Sequence, residues 1–326
     1  MKKRYWFGVI IIVGVVALLA ARSFFVPRTL ELPELNGELH AVETSHDGLT
    51  RHYRVYVPAT LQPQAPLLFV FHGSLSTGEV MREMGARQFD RMADQRGLIV
   101  VYPDGIERHW NDCRASASYA ANQRNIDDVG FVRQMIEELV RYHRADPARV
   151  YATGLSNGGH MVLRLALEAP SLMAGYAPIV ANLPVDDNLD CDKQGQPVNI
   201  ALIEGTDDPV NPYDGGVVKL LWDDSRGEVL SAAQTAQYFA DLAGYTKGPE
   251  PFDLADTEPA DDGYISAQLW YGRTHRVGLF TMQGGGHVLP SVNTSFGVLG
   301  GDIRDVDAAD LIWTFLTADT QAAGLP

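Results

Sequence analysis

Gly154-Leu155-Ser156-Asn157-Gly158 is a G-x-S-x-G pentapeptide between a short apolar run, 149–153, and a helical pattern, 159–168. Strand, sharp turn and helix is the setting in which such a serine becomes a nucleophile. The turn forces the serine into a strained backbone conformation, and the flanking glycines avoid collisions with the neighbouring strand and helix. A serine hydroxyl is weakly nucleophilic at neutral pH, so it needs a base, and the base needs an orienting carboxylate. Asp207-Asp208-Pro209 follow the strand-like segment ending at Ile203-Glu204, and Gly284-Gly285-Gly286-His287 follow the segment ending at Met282. The order serine, acid, histidine is kept, with 52 residues from Ser156 to Asp208 and 79 from Asp208 to His287. Pro209 restricts Asp208 to extended backbone. Asp208 is therefore expected to orient His287, and Asp207 to be a turn residue. Stabilising the tetrahedral oxyanion requires two converging N–H donors. These are assigned to Asn157, at the start of the helix, and to Ser74 in His72-Gly73-Ser74, which follows the apolar run 67–71. His72 is read as structural and His160 as a packed helix histidine.

The elements around these residues alternate. Segments 67–71 and 98–102 are continuous apolar runs of the kind buried on both faces of a parallel sheet, and 198–203 reads as a further strand. Residues 51–57 alternate and read as an edge strand, and 264–271 with 276–282 as a pair joined by a tight turn. Helical spacing covers 78–95, a stretch capped by Asp127 and Asp128 with Val129, Val132, Ile136, Leu139 and Val140 on one face, then 230–242 and 305–316. The expected fold class is α/β, a mostly parallel central sheet with helices on both faces. Its functional groups should gather beyond the carboxyl ends of the strands. The polar stretch 106–126 is too long for a simple connection and is expected to be functional or lid-like.

The formal charge of −15 in 326 residues argues against nucleic acid as a partner. Lys2, Lys3 and Arg4 precede 17 uncharged residues, Tyr5 to Ala21. That pattern is an export signal, with an uncleaved membrane anchor favoured over a cleaved peptide. The domain plan is thus 1–21 signal or anchor, 22–48 tether, and 49–320 catalytic domain, placed outside the cytoplasm. In such an oxidising compartment the two cysteines, Cys113 and Cys191, are expected to form a disulfide, with two separate buried thiols as the alternative. No metal or organic cofactor is implied: the chain carries neither H-E-x-x-H nor G-x-x-x-x-G-K-[ST]. Oligomeric state is left open.

Phe71-His72-Gly73, Val101-Tyr102-Pro103-Asp104-Gly105, Trp110-Asn111-Asp112-Cys113 and Asp127-Asp128-Val129-Gly130-Phe131 add specificity to the elbow. So do Gly205-Thr206-Asp207-Asp208-Pro209, Pro212-Tyr213-Asp214-Gly215-Gly216 and Gly284-Gly285-Gly286-His287. Together they span about residues 50–316, and on them the chain resembles the polyhydroxybutyrate depolymerase-like and feruloyl-esterase-like branch of the α/β-hydrolases. The resemblance implies an α/β-hydrolase fold and a serine esterase with Ser156, Asp208 and His287 as triad. Its substrates would be hydroxyalkanoate oligomers, feruloyl or acetyl esters of polysaccharides, or small aryl esters. Trp110, Tyr213 and Trp222 are expected in loops overhanging the site, as aromatic surfaces for substrate. The rival readings are a serine peptidase of related fold and a catalytically dead hydrolase-fold binding module.

Overall fold

The computed structural model of the protein describes residues 28–318 apart from 221, 262, 273, 297 and 298. The charged start and apolar run of 1–21 lie outside the described residues. Within them, no helix is long and apolar enough to cross a membrane.

Ten strands of the described residues form one sheet: β1 (Glu38–His46), β2 (Leu49–Val57), β3 (Leu67–Phe71), β4 (Ile99–Pro103) and β5 (Val150–Leu155), then β6 (Gly175–Ile179), β7 (Ile200–Gly205), β8 (Glu250–Asp253), β9 (Tyr264–Tyr271) and β10 (Arg276–Gln283). Their order across the sheet is β8-β9-β10-β7-β6-β5-β3-β4-β2-β1. The six central strands, β10 to β4, are parallel, and the two outer strands at each end are added by antiparallel pairing, each reversing the direction of its inner neighbour. This is the α/β-hydrolase fold. In β3 the period-2 alternation sends Leu67, Phe69 and Phe71 into one core and Leu68 and Val70 into the other. The first core is roofed by α3 (Asp128–His143), α4 (Asn157–Glu168) and α5 (Ala232–Leu242). The second is covered by α1 (Gly78–Met84), α2 (Gln88–Arg96) and α6 (Ala308–Thr317).

Several expectations change here. Residues 22–48 are not simply a tether, because β1 lies in this stretch and pairs along its whole length with β2. That pairing also moves Leu49–Val57 inward from the edge. The single helix expected over 78–95 is two, broken where Ala86 and Arg87 take positive φ of 49° and 58°. Along α3 the buried side chains include Phe131 and Met135, whereas Val129 and Val140 are only partly buried. A central strand, β6, and an edge strand, β8, join those read from the sequence. Cys113 and Cys191 are joined as a disulfide, 78 residues apart.

Candidate active site

β5 ends at Leu155 and α4 begins at Asn157, so Ser156 is the whole turn. Its φ of 57° and ψ of −117° are costly for a residue with a Cβ, by about 1–3 kcal/mol. The surroundings hold it there: Ser156 N–H donates to Ile179 O at 2.9 Å and Ser156 O accepts from His160 N–H at 2.8 Å. A Cβ on Gly154 would stand 2.5 Å from the Gly158 carbonyl carbon, and one on Gly158 would stand 2.3 Å from Phe71 O. Only glycine lets strand, turn and helix approach this closely.

Beyond β7, Asp208 is buried while its neighbour Asp207 is exposed. Asp208 Oδ2 lies 2.7 Å from His287 Nδ1. Its Oδ1 accepts from the N–H groups of Val210 at 2.7 Å and Asn211 at 2.9 Å. Both oxygens are thus committed, and the imidazole presents Nε2 as the ring nitrogen free to take a proton. His287 follows β10 and is fixed through its own N–H, which donates to Leu299 O at 2.7 Å. Ser156 and His287 line the same cavity. Behind Asp208 sits Glu204, which sequence reasoning passed over. It is buried, and burial pushes its carboxyl well above the usual range. Ala181 N–H donates to it at 3.0 Å and Asn211 Nδ2 at 3.4 Å. The available signal was an acidic residue inside the apolar strand Ile200-Ala201-Leu202-Ile203-Glu204.

On the other side of the serine, Gly73 and Ser74 line the cavity. His72 anchors this turn: its Nδ1–H donates to Gly73 O at 2.7 Å and its Nε2 accepts from Gly105 N–H at 3.0 Å. Burial lowers its pKa to about 4, so it stays neutral and bonded at both ends. The N–H of Asn157 lies at the first helical position, where no intrahelical acceptor exists. The Asn157 side chain is fully buried. Its Oδ1 accepts from Trp110 N–H at 2.8 Å, and its Nδ2 donates to Asp112 Oδ2 at 2.7 Å and to Tyr119 OH at 3.0 Å. Asp112 is paired with Arg114 at 2.5 Å and accepts from the Tyr119 hydroxyl. Burial works against the charge of Asp112, but Arg114 outweighs it and holds the carboxyl well below the usual range. His160, also buried, is pushed well below its ordinary value by burial and carries no charge.

At its centre the segment 106–126 is therefore packed rather than lid-like, and through Asn157 it bears on the site. Trp110, Asn111, Asp112 and Arg114 are buried as a wedge beneath the start of α4. Of the aromatics expected to meet substrate, Trp110 is 0% exposed and donates its Nε1–H to His72 O at 3.0 Å. Tyr213 bonds Thr281 Oγ1 at 2.9 Å and packs against the core, and Trp222 is 95% exposed. None of the three lines the cavity. Its walls are instead Met84, Leu220, Val288, Leu289, Phe296 and Leu299, around the polar groups of Ser74, Ser76, Ser156, His287 and Thr294. Among the described residues no group of three or more His, Cys, Asp or Glu could hold a metal ion.

Comparison with known proteins places residues 51–182 in the family described as Esterase PHB depolymerase. The chain is 30% identical over 285 residues to the putative esterase NocK of Nocardia uniformis subsp. tsuyamanensis, covering 82% of this chain and 80% of that one. It is 28% identical over 234 residues to feruloyl esterase B of Piromyces equi, covering 68% of this chain and 39% of the relative. Against poly(3-hydroxyalkanoate) depolymerase C of Paucimonas lemoignei it is 30% identical over 125 residues, covering 38% of this chain and 30% of the depolymerase. The chain thus spans less than half the length of the last two. The fold matches that of an acetyl xylan esterase from Aspergillus awamori, with a TM-score of 0.56 at 17% identity over 78% of this chain and 96% of that one.

Proposed function

The chain belongs to the PHB depolymerase esterase family and is a carboxylic ester hydrolase, and we propose that it works through Ser156, His287 and Asp208 as an exported serine esterase. The observation that carries the reading is the 2.7 Å contact between Asp208 and His287, made over the cavity that Ser156 enters from a strained elbow. In the first half-reaction Ser156 Oγ attacks the ester carbonyl while His287 Nε2 takes the hydroxyl proton. Asp208 stabilises the imidazolium and keeps its ring in place. The Asn157 and Ser74 N–H groups hold the oxyanion. Collapse breaks the C–O bond to the alcohol, which leaves with the proton from His287. Water, activated by the same imidazole, then releases the acid from Ser156.

Hydroxyalkanoate oligomers, feruloyl or acetyl polysaccharide esters and small aryl esters all fall within this chemistry. Residues 1–21 serve as an export signal or membrane anchor, which places the domain outside the cytoplasm. A fluorophosphonate probe should label the protein but not a Ser156→Ala variant, and p-nitrophenyl esters should be cleaved while peptide anilides are not. Labelling that survives Ser156→Ala would refute the assignment. For export, the catalytic domain should be recovered outside the cytoplasm, on the membrane if residues 1–21 are retained and free of it if they are cleaved. Recovery from the cytosol would refute that part alone.

A further inference from the structure

The cavity at Ser156 has a composition that selects among these esters. Among the described residues, His287 is the one titratable side chain that lines it, and Met84, Leu220, Val288, Leu289, Phe296 and Leu299 give it a mainly apolar surface. Its volume is about 150 Å³. A recess of this size with aliphatic and Phe walls, open to solvent on one side, seats a group of about benzene's size, roughly six carbons, before a chain emerges into water. During turnover the acyl half stays bonded to Ser156 while the alcohol departs, so a shaped recess beside the serine suits the half that stays. Resting on the esterase reading above, we propose that this recess is an acyl pocket for uncharged aliphatic acyl groups of about six carbons.

The walls decide against the alternatives. A feruloyl group is about twice the size of benzene and carries a phenol and a methoxy group. Among the described residues, Ser74, Ser76 and Thr294 are the hydroxyls there besides the serine that attacks. A carboxylate-bearing acyl group would leave a charge desolvated with no cationic partner in the walls. An acetyl group fits, but it leaves most of the apolar surface unfilled. Each methylene buried contributes about 0.8 kcal/mol, or roughly fourfold in kcat/KM where the contact persists in the transition state.

The walls also name the residues that set the length limit. Met84 ends α1, and Leu289 follows the histidine by two residues. A bulkier side chain at either position would shorten the pocket from within.

The test is kcat/KM for p-nitrophenyl acetate, butyrate, hexanoate, octanoate and decanoate, with methyl ferulate alongside. The expected profile climbs by up to about fourfold per methylene to a maximum near hexanoate and declines by decanoate, with methyl ferulate below hexanoate. Leu289→Trp, and independently Met84→Phe, should move the maximum to butyrate or shorter. A flat series, a maximum at acetate, methyl ferulate above hexanoate, or a maximum unmoved by both substitutions would overturn the acyl pocket while fluorophosphonate labelling of Ser156 leaves the esterase reading standing. No turnover of any ester together with no labelling would overturn both.

Discussion

Replacing Asp208 by asparagine tests the site where its geometry is most constrained. Oδ1 of Asp208 accepts two backbone N–H groups, from Val210 and Asn211, so an asparagine must keep its amide oxygen on that side. Its NH2 group then occupies the place of Oδ2, 2.7 Å from His287 Nδ1, and donates to it. The ring is driven into the tautomer with its proton on Nε2, where the lone pair is needed to accept the proton of Ser156. The same exchange in a serine triad costs about 10⁴ in kcat, or about 5 kcal/mol of barrier. Because shape and both backbone bonds are kept, the urea midpoint should move little. Steady-state hydrolysis of a p-nitrophenyl ester should therefore show kcat down by about 10⁴ with KM within a few-fold. Asp207→Asn, at an exposed turn position, should stay within a few-fold of the parent in both parameters. Retention of a tenth or more of the activity by Asp208→Asn, or an equally deep loss in Asp207→Asn, would refute the assignment.

Three further outcomes follow from the surroundings of the site. Asn157→Ala keeps the backbone N–H but removes the side-chain bonds to Trp110 and Asp112. It should lower kcat by about tenfold to a hundredfold, short of removing an oxyanion donor outright; an unchanged kcat would show that the buried wedge does not position the donor. Opening the Cys113–Cys191 link with a paired alanine substitution frees a 78-residue loop and should cost about 4 kcal/mol in urea unfolding, and a loss under 1 kcal/mol would count against it. His72 has its folded pKa lowered to about 4 by burial, against about 6.5 unfolded, so the unfolded chain binds more protons between those values. Stability should fall as pH drops through that window, by about 3 kcal/mol more than in a His72→Asn variant followed by the same urea titrations, and parallel curves for the two proteins would refute it.

How far the sequence reveals this molecule depends on what each segment must satisfy. β3 and β4 read directly as strands because both faces are covered, so Leu67–Phe71 and Ile99–Pro103 are almost wholly apolar. β6 lies in the same interior yet reads as nothing, because Gly175-Tyr176-Ala177-Pro178-Ile179 has small residues where its neighbours press closest. A Cβ on Gly175 would stand 3.0 Å from the Leu316 side chain. β1 is missed for the opposite reason: as the outer strand it leaves most of its side chains in water, and Glu38–His46 shows no apolar face. Ser156, Asp208 and His287 are legible because each stands at a strand end beside glycine or proline, where the chain has few conformations to choose from. The cavity walls are not. Met84 ends α1, Leu220 lies between β7 and α5, and Leu289 and Phe296 stand seven residues apart between β10 and α6; no local pattern marks them as neighbours.

The wedge from Trp110 to Arg114 carries the sharper lesson, because its polarity and length suggested a functional or lid-like loop. A buried polar group is costly only when it lacks partners. Here Asp112 meets Arg114, Tyr119 and Asn157, and Trp110 meets His72 and Asn157. Polar composition therefore cannot separate a solvated loop from a satisfied polar core; only the pairing can. This wedge touches both of the proposed oxyanion donors, Asn157 directly and Ser74 through His72. The proposed chemistry is thus spelled by three residues at strand ends. Its preorganisation rests on a buried network whose members look, in sequence, like ordinary surface residues. Substitutions in 110–119 should then lower kcat with little change in KM, the pattern expected of residues that position donors without touching the ground-state ester.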